Sequence, residues 1–212
     1  LKPDAKLDVS WDGKVQCTFN NGVNWTDCTR AVIAADCPEG FWATRVVASA
    51  HHPETAYVSF SGYTKDDFRS LLFKTTDAGK NWTKITGNLP DQPINVITED
   101  ASNENLLFVG TDGGLYVTVN GGKGWVKFNQ IPAVPVKDIA IHPRENDLIV
   151  ATYGRGVYIA NILPLKCIND TIFVSHATLF PVKCKPLNNY SDAAWIGNRR
   201  LMGDTHLFTL NE

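Results

Sequence analysis

The sequence predicts an all-β fold, a β-propeller of four-stranded antiparallel blades, with about four blades in the 212 residues. Two observations predict this class. An eight-residue turn pattern occurs three times, and short segments of alternating apolar and polar residues separate its copies. The composition agrees with them, because 10% aromatic residues, 16 glycines and 11 prolines beside a single methionine suit strands and turns better than helices.

The repeated turn pattern contains Thr, Asx, Gly and Trp in a fixed order, and its copies begin at Thr18, Thr75 and Thr118. In each copy, the Asx side chain is expected to bond backbone amides two residues on, and the glycine after it to adopt a positive φ. The Thr ends one strand, whereas the Trp opens the next strand and is expected to bury a large apolar face. These structural roles fall on Asn20, Gly22, Trp25, Asp77, Gly79, Trp82, Asn120, Gly122 and Trp125.

The first unit consists of a hairpin and one further strand. Leu7 to Trp11 and Val15 to Phe19 alternate in polarity on either side of an Asp-Gly turn, and a third strand is predicted to open at Trp25. Residues 107–125 repeat this unit at a constant offset, so that Trp125 corresponds to Trp25. The unit lacks the strand that lies innermost in a complete blade.

Two complete units and a partial one follow. Four strands are predicted between Arg45 and Ile85, four between Ile94 and Phe128, and three between Val136 and Ala160, where no turn copy occurs. Residues 29–41 and 61–70 are expected to be connections. The predicted boundaries are 1–30 for a partial first blade, 31–88 for a connection and the second blade, 89–130 for the third blade, 131–162 for a partial fourth blade, and 163–212 for a C-terminal tail or linker.

The cysteine positions suggest one disulfide bond. Cys17 precedes the first turn copy and Cys28 follows it, so the two strands of this hairpin would place the two side chains opposite each other. The alternative is that all five cysteines are free and pack as small apolar residues.

Several segments allow a comparison with known families. Besides the turn copies, they are Ala48 to His52, Phe73 to Asp77, Ile141 to Leu148 and Ala151 to Gly156. The turn resembles the Asp-box of BNR-type β-propellers, and residues 12–162 resemble bacterial proteins with sortilin-like or WD40/YVTN/BNR-like repeats. That resemblance implies an extracytoplasmic protein of bacterial source, periplasmic, secreted or on the cell surface. Because members of that family carry many more blades, the chain is expected to be the C-terminal part of a larger propeller.

Candidate ligand contacts follow from the propeller geometry. Ligands of propellers usually bind near the axis, on the face formed by the turns between second and third strands and by the connections between blades. The predicted ligand contacts on this face are Tyr63, Asp66, Asp112, Tyr153 and Arg155. The catalytic candidates are Asp66 or Asp67 together with Asp112, since a glycosidase needs two carboxyl groups across the scissile bond. The alternative for each residue is a solvated turn position.

The remaining patterns exclude several functions. The net charge of −2 gives no electrostatic argument for nucleic acid, and no apolar run is long enough to span a bilayer. No phosphate loop or dinucleotide fingerprint occurs, so no cofactor is expected, and no metal site is expected either.

The sequence therefore predicts a non-catalytic binding or scaffolding module, as a subunit or fragment of a larger extracytoplasmic assembly. Its expected partners are other protein chains or further blades of the same parent protein, with a glycan or peptide as ligand. The alternative, implied by the family resemblance, is a fragment of a propeller glycoside hydrolase that acts with paired Asp carboxylates on a polysaccharide.

Overall fold

The computed structural model describes residues 6–10, 13–18 and 20–168. Within these residues the chain forms four antiparallel sheets of three or four strands and two short α-helices. In every sheet, strands that follow one another in sequence are hydrogen-bonded neighbours. The predicted all-β architecture of repeated meander sheets is therefore confirmed. The part of the predicted tail beyond residue 168 lies outside the described residues.

The first sheet contains β1 (Lys6–Val9), β2 (Val15–Thr18) and β3 (Thr26–Asp27), and helix α1 (Thr29–Ala34) follows it. The second sheet contains β4 (Trp42–Ala48), β5 (Ala56–Gly62), β6 (Asp67–Thr75) and β7 (Thr83–Lys84). The third sheet contains β8 (Ile94–Glu99), β9 (Leu107–Thr111), β10 (Gly114–Thr118) and β11 (Val126–Lys127). The fourth sheet contains β12 (Val136–Ile141), β13 (Asp147–Thr152) and β14 (Val157–Asn161), and helix α2 (Leu163–Lys166) follows it.

The repeated turn has the same hydrogen bonds in all three copies. In the second copy, the Thr75 hydroxyl donates to Asp77 Oδ1 at 2.9 Å and accepts from the Gly79 amide at 3.0 Å. Asp77 Oδ1 also accepts from the Asn81 amide at 2.9 Å, so the bonded amide lies four residues on rather than the expected two. Hydrogen bonds from the Asn81 backbone and side chain hold the pKa of Asp77 below its ordinary value. The glycines have the expected positive φ, which is +92° for Gly22, +82° for Gly79 and +93° for Gly122.

Three apolar clusters fill the spaces between neighbouring sheets. Successive residues of a strand point to opposite faces, so an internal sheet contributes to two clusters. In the second sheet, Phe73 packs toward the first sheet and Leu72 toward the third. In the third sheet, Val109 packs toward the second sheet and Phe108 toward the fourth. The four sheets therefore form one continuous stack whose core consists of the interfaces between sheets.

The three Trp side chains of the repeated turn are not equally buried. Trp82 and Trp125 are 6% and 3% exposed, as expected, whereas Trp25 is 42% exposed. Trp125 packs in the cluster shared with the second sheet, and its indole N–H donates to the Ile85 carbonyl at 2.9 Å. Each buried Trp thus packs against the preceding sheet, and no sheet precedes the first one among the described residues. The burial expected for Trp25 is therefore wrong, because its packing partner is a neighbouring sheet rather than its own hairpin.

Two expected connections are partly regular. In the second sheet, β5 and β6 extend into residues 61–70 through the pairing of Gly62 with Asp67, which leaves only residues 63–66 as a turn. Helix α1 occupies the beginning of the connection 29–41. It has six residues and no side-chain cap, so neither length nor capping chemistry marks it in the sequence.

The internal repeat relates the first sheet to the third. The strand register is the same in the outer hairpins of the two sheets but differs in their inner hairpins. The outer hairpin keeps the same register in both, at positions that differ by the constant offset. In the inner hairpin, however, Cys17 pairs with Leu7, whereas Val117 pairs with Phe108 rather than Leu107. Five residues lie between the paired Val9 and Val15, whereas six lie between the equivalent Val109 and its partner Tyr116, so the register differs by one residue.

Candidate functional site

A groove of about 650 Å³ lies on the face predicted to bind ligands. Residues of the second, third and fourth sheets line it, from the first residues of each innermost strand and from the turns between second and third strands. Its volume lies within the range of small-ligand sites, roughly 300–1,000 Å³. The groove is thus shared by three consecutive sheets and depends on their relative placement.

Each innermost strand around the groove carries a β-bulge at the same place. The bulges interrupt the pairing of β4, β8 and β12, and the extra residues are Thr44, Asn95 and Lys137. All three line the groove. Because a bulge turns a side chain out of the regular alternation of a strand, it can direct a residue into a site without removing it from the sheet. The repeat therefore supplies one polar side chain per sheet to the groove.

A polar cluster joins two of these residues to a predicted ligand contact. Asp112 Oδ1 accepts hydrogen bonds from Asn95 Nδ2 at 2.9 Å and from Lys137 Nζ at 3.1 Å. Lys137 Nζ also donates to Asn95 Oδ1 at 3.2 Å. The Asp112 carboxylate is therefore paired with a cation that lies in the same groove. Its negative charge is compensated before any ligand binds.

A second ion pair joins a groove residue to the fourth sheet. Arg45 of β4 donates from Nη2 to Asp138 Oδ1 of β12 at 2.6 Å, and it thereby links the second sheet to the fourth. Among the described residues, the charged side chains that line the groove are Arg45, Asp112 and Lys137, and each has a partner of opposite charge. The groove therefore presents polar groups without a strong net charge.

Exposed aromatic side chains surround the polar cluster. Trp42, Tyr63 and Tyr153 line the groove and are 42%, 61% and 73% exposed. The ring of Tyr63 meets the Phe68 ring edge-on, with their centroids 5.7 Å apart, and this contact restricts its orientation. Flat apolar rings beside hydrogen-bonding groups suit ligands that have both apolar faces and polar edges.

The structure brings together three of the predicted site residues and leaves the others apart. Tyr63, Asp112 and Tyr153 line the groove, whereas Asp66, Asp67 and Arg155 do not. The Asp67 carboxylate is paired with Arg69 at 2.6 Å, and hydrogen bonds from Arg69 hold the pKa of Asp67 below its ordinary value.

The other two predicted residues lie at exposed turns. Asp66 ends the short 3₁₀ turn with a φ of +54°, and Arg155 is exposed between Gly154 and Gly156. Asp112 is thus the only carboxylate among the described residues that line the groove. The carboxyl pair required by the glycosidase alternative is not assembled there.

Several groove residues were not anticipated from the sequence. They are Trp42, Thr44, Arg45, Asn95 and Lys137. A bulge has no strong signature of its own, but an alignment of the repeats offers one signal. Pro-Ile-Asn at 93–95 and Pro-Val-Lys at 135–137 place a polar residue at the same step after a proline.

Among residues 6–10, 13–18 and 20–168, no group of three or more His, Cys, Asp and Glu side chains could hold a metal ion. In the same part of the chain, no helix has the length and apolar character needed to cross a bilayer.

The meander sheets, the repeated turn and the groove between the sheets define a β-propeller protein with BNR-like repeats. The family model Sortilin-Vps10, described as sortilin, neurotensin receptor 3, matches residues 70–175, which is half of the chain. The chain belongs to this family.

Relatives and solved structures place the chain among larger propeller proteins. A probable oligoxyloglucan-reducing end-specific xyloglucanase of Neosartorya fischeri is 34% identical over 84 residues, which cover 35% of this chain and 10% of that protein. The GH74 xyloglucanase structure from Xanthomonas campestris has a TM-score of 0.57 at 15% identity, covering 76% of this chain and 28% of its own. A structure of YCF48 bound to D1 peptide has a TM-score of 0.51 at 14% identity, covering 74% and 48%. The chain thus spans about a tenth of the curated relative, and the structural likenesses show the propeller fold alone.

Proposed function

We propose that this chain is a non-catalytic binding and scaffolding module that holds a peptide or glycan ligand in the groove, as one arc of a larger extracytoplasmic assembly. One observation carries the proposal: three consecutive sheets direct bulged polar side chains and exposed aromatic rings into one groove whose charges are already paired. Such a surface supports recognition by stacking and hydrogen bonding. It offers no activated nucleophile and no pair of carboxyl groups among the described residues.

A second candidate is a fragment of a propeller glycoside hydrolase that acts on a polysaccharide. The similarity to xyloglucanases in both sequence and fold favours it. Such an enzyme needs two carboxyl groups about 5–10 Å apart across the scissile bond. Asp112 is available as one of them, but its partner would have to come from Asp66 or Asp67 after a rearrangement of their hairpin, or from outside the described residues.

Binding without turnover is the expected result when the chain is mixed with soluble xyloglucan oligosaccharides or with a library of extended peptides. We expect Tyr63→Ala to weaken binding of the preferred probe about tenfold, a loss of roughly 1.4 kcal/mol, because the ring supplies a stacking surface. Asp112→Ala should alter affinity only modestly. Quenching of tryptophan fluorescence measures binding, and release of reducing ends measures turnover.

The matched control is Val23→Ala, since Val23 is 78% exposed in the first turn copy and does not line the groove. Release of reducing ends that disappears in Asp112→Ala, and in Asp66→Ala or Asp67→Ala, would establish the glycosidase instead. If neither probe binds, or if Tyr63→Ala binds as tightly as the unchanged chain, the groove is not the binding site.

The thiols of Cys17 and Cys28 provide a test of the extracytoplasmic location. Both are buried, and their Sγ atoms lie 3.0 Å apart as free thiols in the structure, so the disulfide bond stays a prediction. Burial raises the pKa of the Cys28 thiol to about 12, which disfavours the reactive thiolate in the folded chain. An oxidising compartment during folding would instead join the pair.

We therefore expect protein isolated from its source without reductant to contain the Cys17–Cys28 bond, detected by mapping peptides after unfolding in an alkylating agent. The bond would close a short loop and stabilise the chain by about 3 kcal/mol relative to its Cys28→Ser variant. Alkylation of both residues in the isolated protein would argue against both the bond and the oxidising location. Protein made in a reducing cytosol is the control, and it should be alkylated at both positions.

A further inference from the structure

The turn at residues 63–66 carries two side chains into the groove but buries none of its own. Tyr63 and Thr64 line the groove, and all four residues of the turn are exposed. Within the turn, the Asp66 amide donates to the Tyr63 carbonyl at 3.3 Å, which is long for such a bond. Exposed segments with few internal contacts open most readily. The position of Tyr63 therefore depends on contacts that reach the turn from other segments.

Lys65 fastens this turn to the segment that leads into the second sheet. Its Nζ donates to the Glu39 carbonyl at 2.9 Å and lies over the Phe41 ring, 5.3 Å from the ring centroid. Glu39 and Phe41 lie just before β4. The face of an aromatic ring attracts an ammonium group, and the carbonyl accepts one of its three donors. One side chain thus joins the turn to the preceding connection at two points.

Phe41 gives this contact a fixed base. It is buried and packs in the cluster between the first and second sheets. The same ring lies against Gly62 at the start of the turn, where an added Cβ would overlap the ring. Gly40 has a φ of +71°, and a Cβ added there would lie only 3.0 Å from Lys65 Nζ. The two glycines therefore leave the space that the ring and the ammonium group occupy.

The corresponding turn of the fourth sheet has more open surroundings. It begins at Tyr153, and a Cβ added at Gly154 or Gly156 would meet no described atom within 4 Å. Tyr153 is 73% exposed, against 61% for Tyr63. Of these two groove tyrosines, Tyr63 thus lies on the turn that neighbouring segments contact more closely.

We propose that Lys65 is a positioning residue that holds Tyr63 in place for ligand binding. Lys65 does not line the groove, so it acts through the turn. A turn that already has its bound position loses less conformational freedom when the ligand binds, and the affinity is higher for that reason. The inference rests on the proposed function, because it takes Tyr63 as a ligand contact. The position of the ring can be measured without any ligand.

Fluorine NMR of the chain made with 3-fluorotyrosine measures this position. The chain has six tyrosines, and the Tyr63→Phe variant assigns the signal of Tyr63. The Phe68 ring, with its centroid 5.7 Å away, shifts that signal. Lys65→Met keeps the side-chain stem and removes the ammonium group, so we expect it to move the Tyr63 signal toward its value in urea and to leave the other signals in place. Lys65→Arg should retain the shift, because a guanidinium group also donates and stacks on aromatic faces.

Binding of soluble xyloglucan oligosaccharides and of the library peptides measures the consequence for affinity. Lys65→Met should weaken binding of the preferred probe about threefold, and Lys65→Arg less than about twofold. Added to Tyr63→Ala, Lys65→Met should cause no further loss, because no ring is left to position. The matched control is Lys80→Ala, since Lys80 is an exposed lysine in the turn copy at the other end of the second sheet and does not line the groove. It should change neither the Tyr63 signal nor the affinity.

Three results would overturn the proposal. They are a Tyr63 signal that stays in place in Lys65→Met, a shifted signal with unchanged affinity, and an equal loss of affinity from Lys65→Met with and without the Tyr63 ring. The last result would mean that Lys65 acts on the ligand itself. If neither probe binds to the unchanged chain, the proposed function fails, and the fluorine signal alone decides whether Lys65 holds the turn.

Discussion

Trp125→Ala is expected to lower the free energy of unfolding by about 3–5 kcal/mol, whereas Trp25→Ala at the equivalent place should lower it by less than about 1 kcal/mol. Trp125 is 3% exposed, fills the cluster between the second and third sheets, and donates to the Ile85 carbonyl. Its removal leaves a large cavity and an unpaired carbonyl. Trp25 is 42% exposed and has no preceding sheet among the described residues.

Urea unfolding followed by far-ultraviolet circular dichroism measures both changes without relying on tryptophan fluorescence. The comparison is well controlled, because the two substitutions remove the same side chain from copies of the same turn. Large losses of equal size in the two variants would mean that the Trp stabilises its own turn rather than the contact between sheets. Equal and small losses would mean that the interface relaxes to fill the cavity.

Asp100→Asn is expected to lower the free energy of unfolding by about 2–4 kcal/mol at neutral pH. Asp100 is fully buried, and its Oδ2 lies 2.7 Å from Nζ of Lys166, which is itself 13% exposed and belongs to helix α2. Its Oδ1 accepts from the amides of Ser102 and Asn103. The substitution leaves the Lys166 ammonium group without its carboxylate, and the attachment of α2 to the third sheet weakens.

The effect of Asp100→Asn should depend on pH. Burial alone would raise the pKa of Asp100, but the adjacent Lys166 ammonium group and the hydrogen bonds from Ser102 outweigh it, so the pKa lies below its ordinary value of about 4. Because the folded pKa is the lower one, the stabilisation is complete above about pH 4 and is lost as the pH falls through the folded pKa. The difference between the variant and the unchanged chain should therefore shrink in acid.

Urea titrations at pH 7 and near pH 3 measure this dependence. Asp36→Asn is the control, since Asp36 forms an ion pair with Lys84 but is 72% exposed, and it should change stability little at either pH. An Asp100→Asn loss that stays constant between the two pH values would contradict the role assigned to the buried ion pair.

The repeated turn made the architecture predictable because its information is local. A Thr, an Asx and a Gly satisfy one another within eight residues, so three copies indicate three similar hairpins wherever they lie in the chain. Burial of the Trp depends instead on a neighbouring sheet, which is why one local rule succeeded for Trp82 and Trp125 and failed for Trp25.

The groove was only partly predictable for the same reason. Tyr63, Asp112 and Tyr153 lie in turns whose face follows from meander topology, and the structure places them in the groove. Thr44, Asn95 and Lys137 reach the groove through β-bulges. A bulge depends on how two strands pair over several residues, so no single residue marks it in the sequence. The ion pair between Asp67 and Arg69 was not predictable either. Both residues lie in β6, in a segment that was expected to be a loop.

The three bulges also separate recognition from the apolar core. A residue inserted at a bulge has no ladder partner to match, and Thr44, Asn95 and Lys137 are absent from the apolar clusters that hold the sheets together. A hydroxyl, an amide and an ammonium group already occupy these equivalent positions within one chain. Selection could therefore exchange the chemistry of each blade one residue at a time without altering the apolar clusters, losing hydrogen bonds such as those that Thr44 and Lys137 donate to the Ile94 carbonyl and to Asp112, and so change ligand preference in small steps.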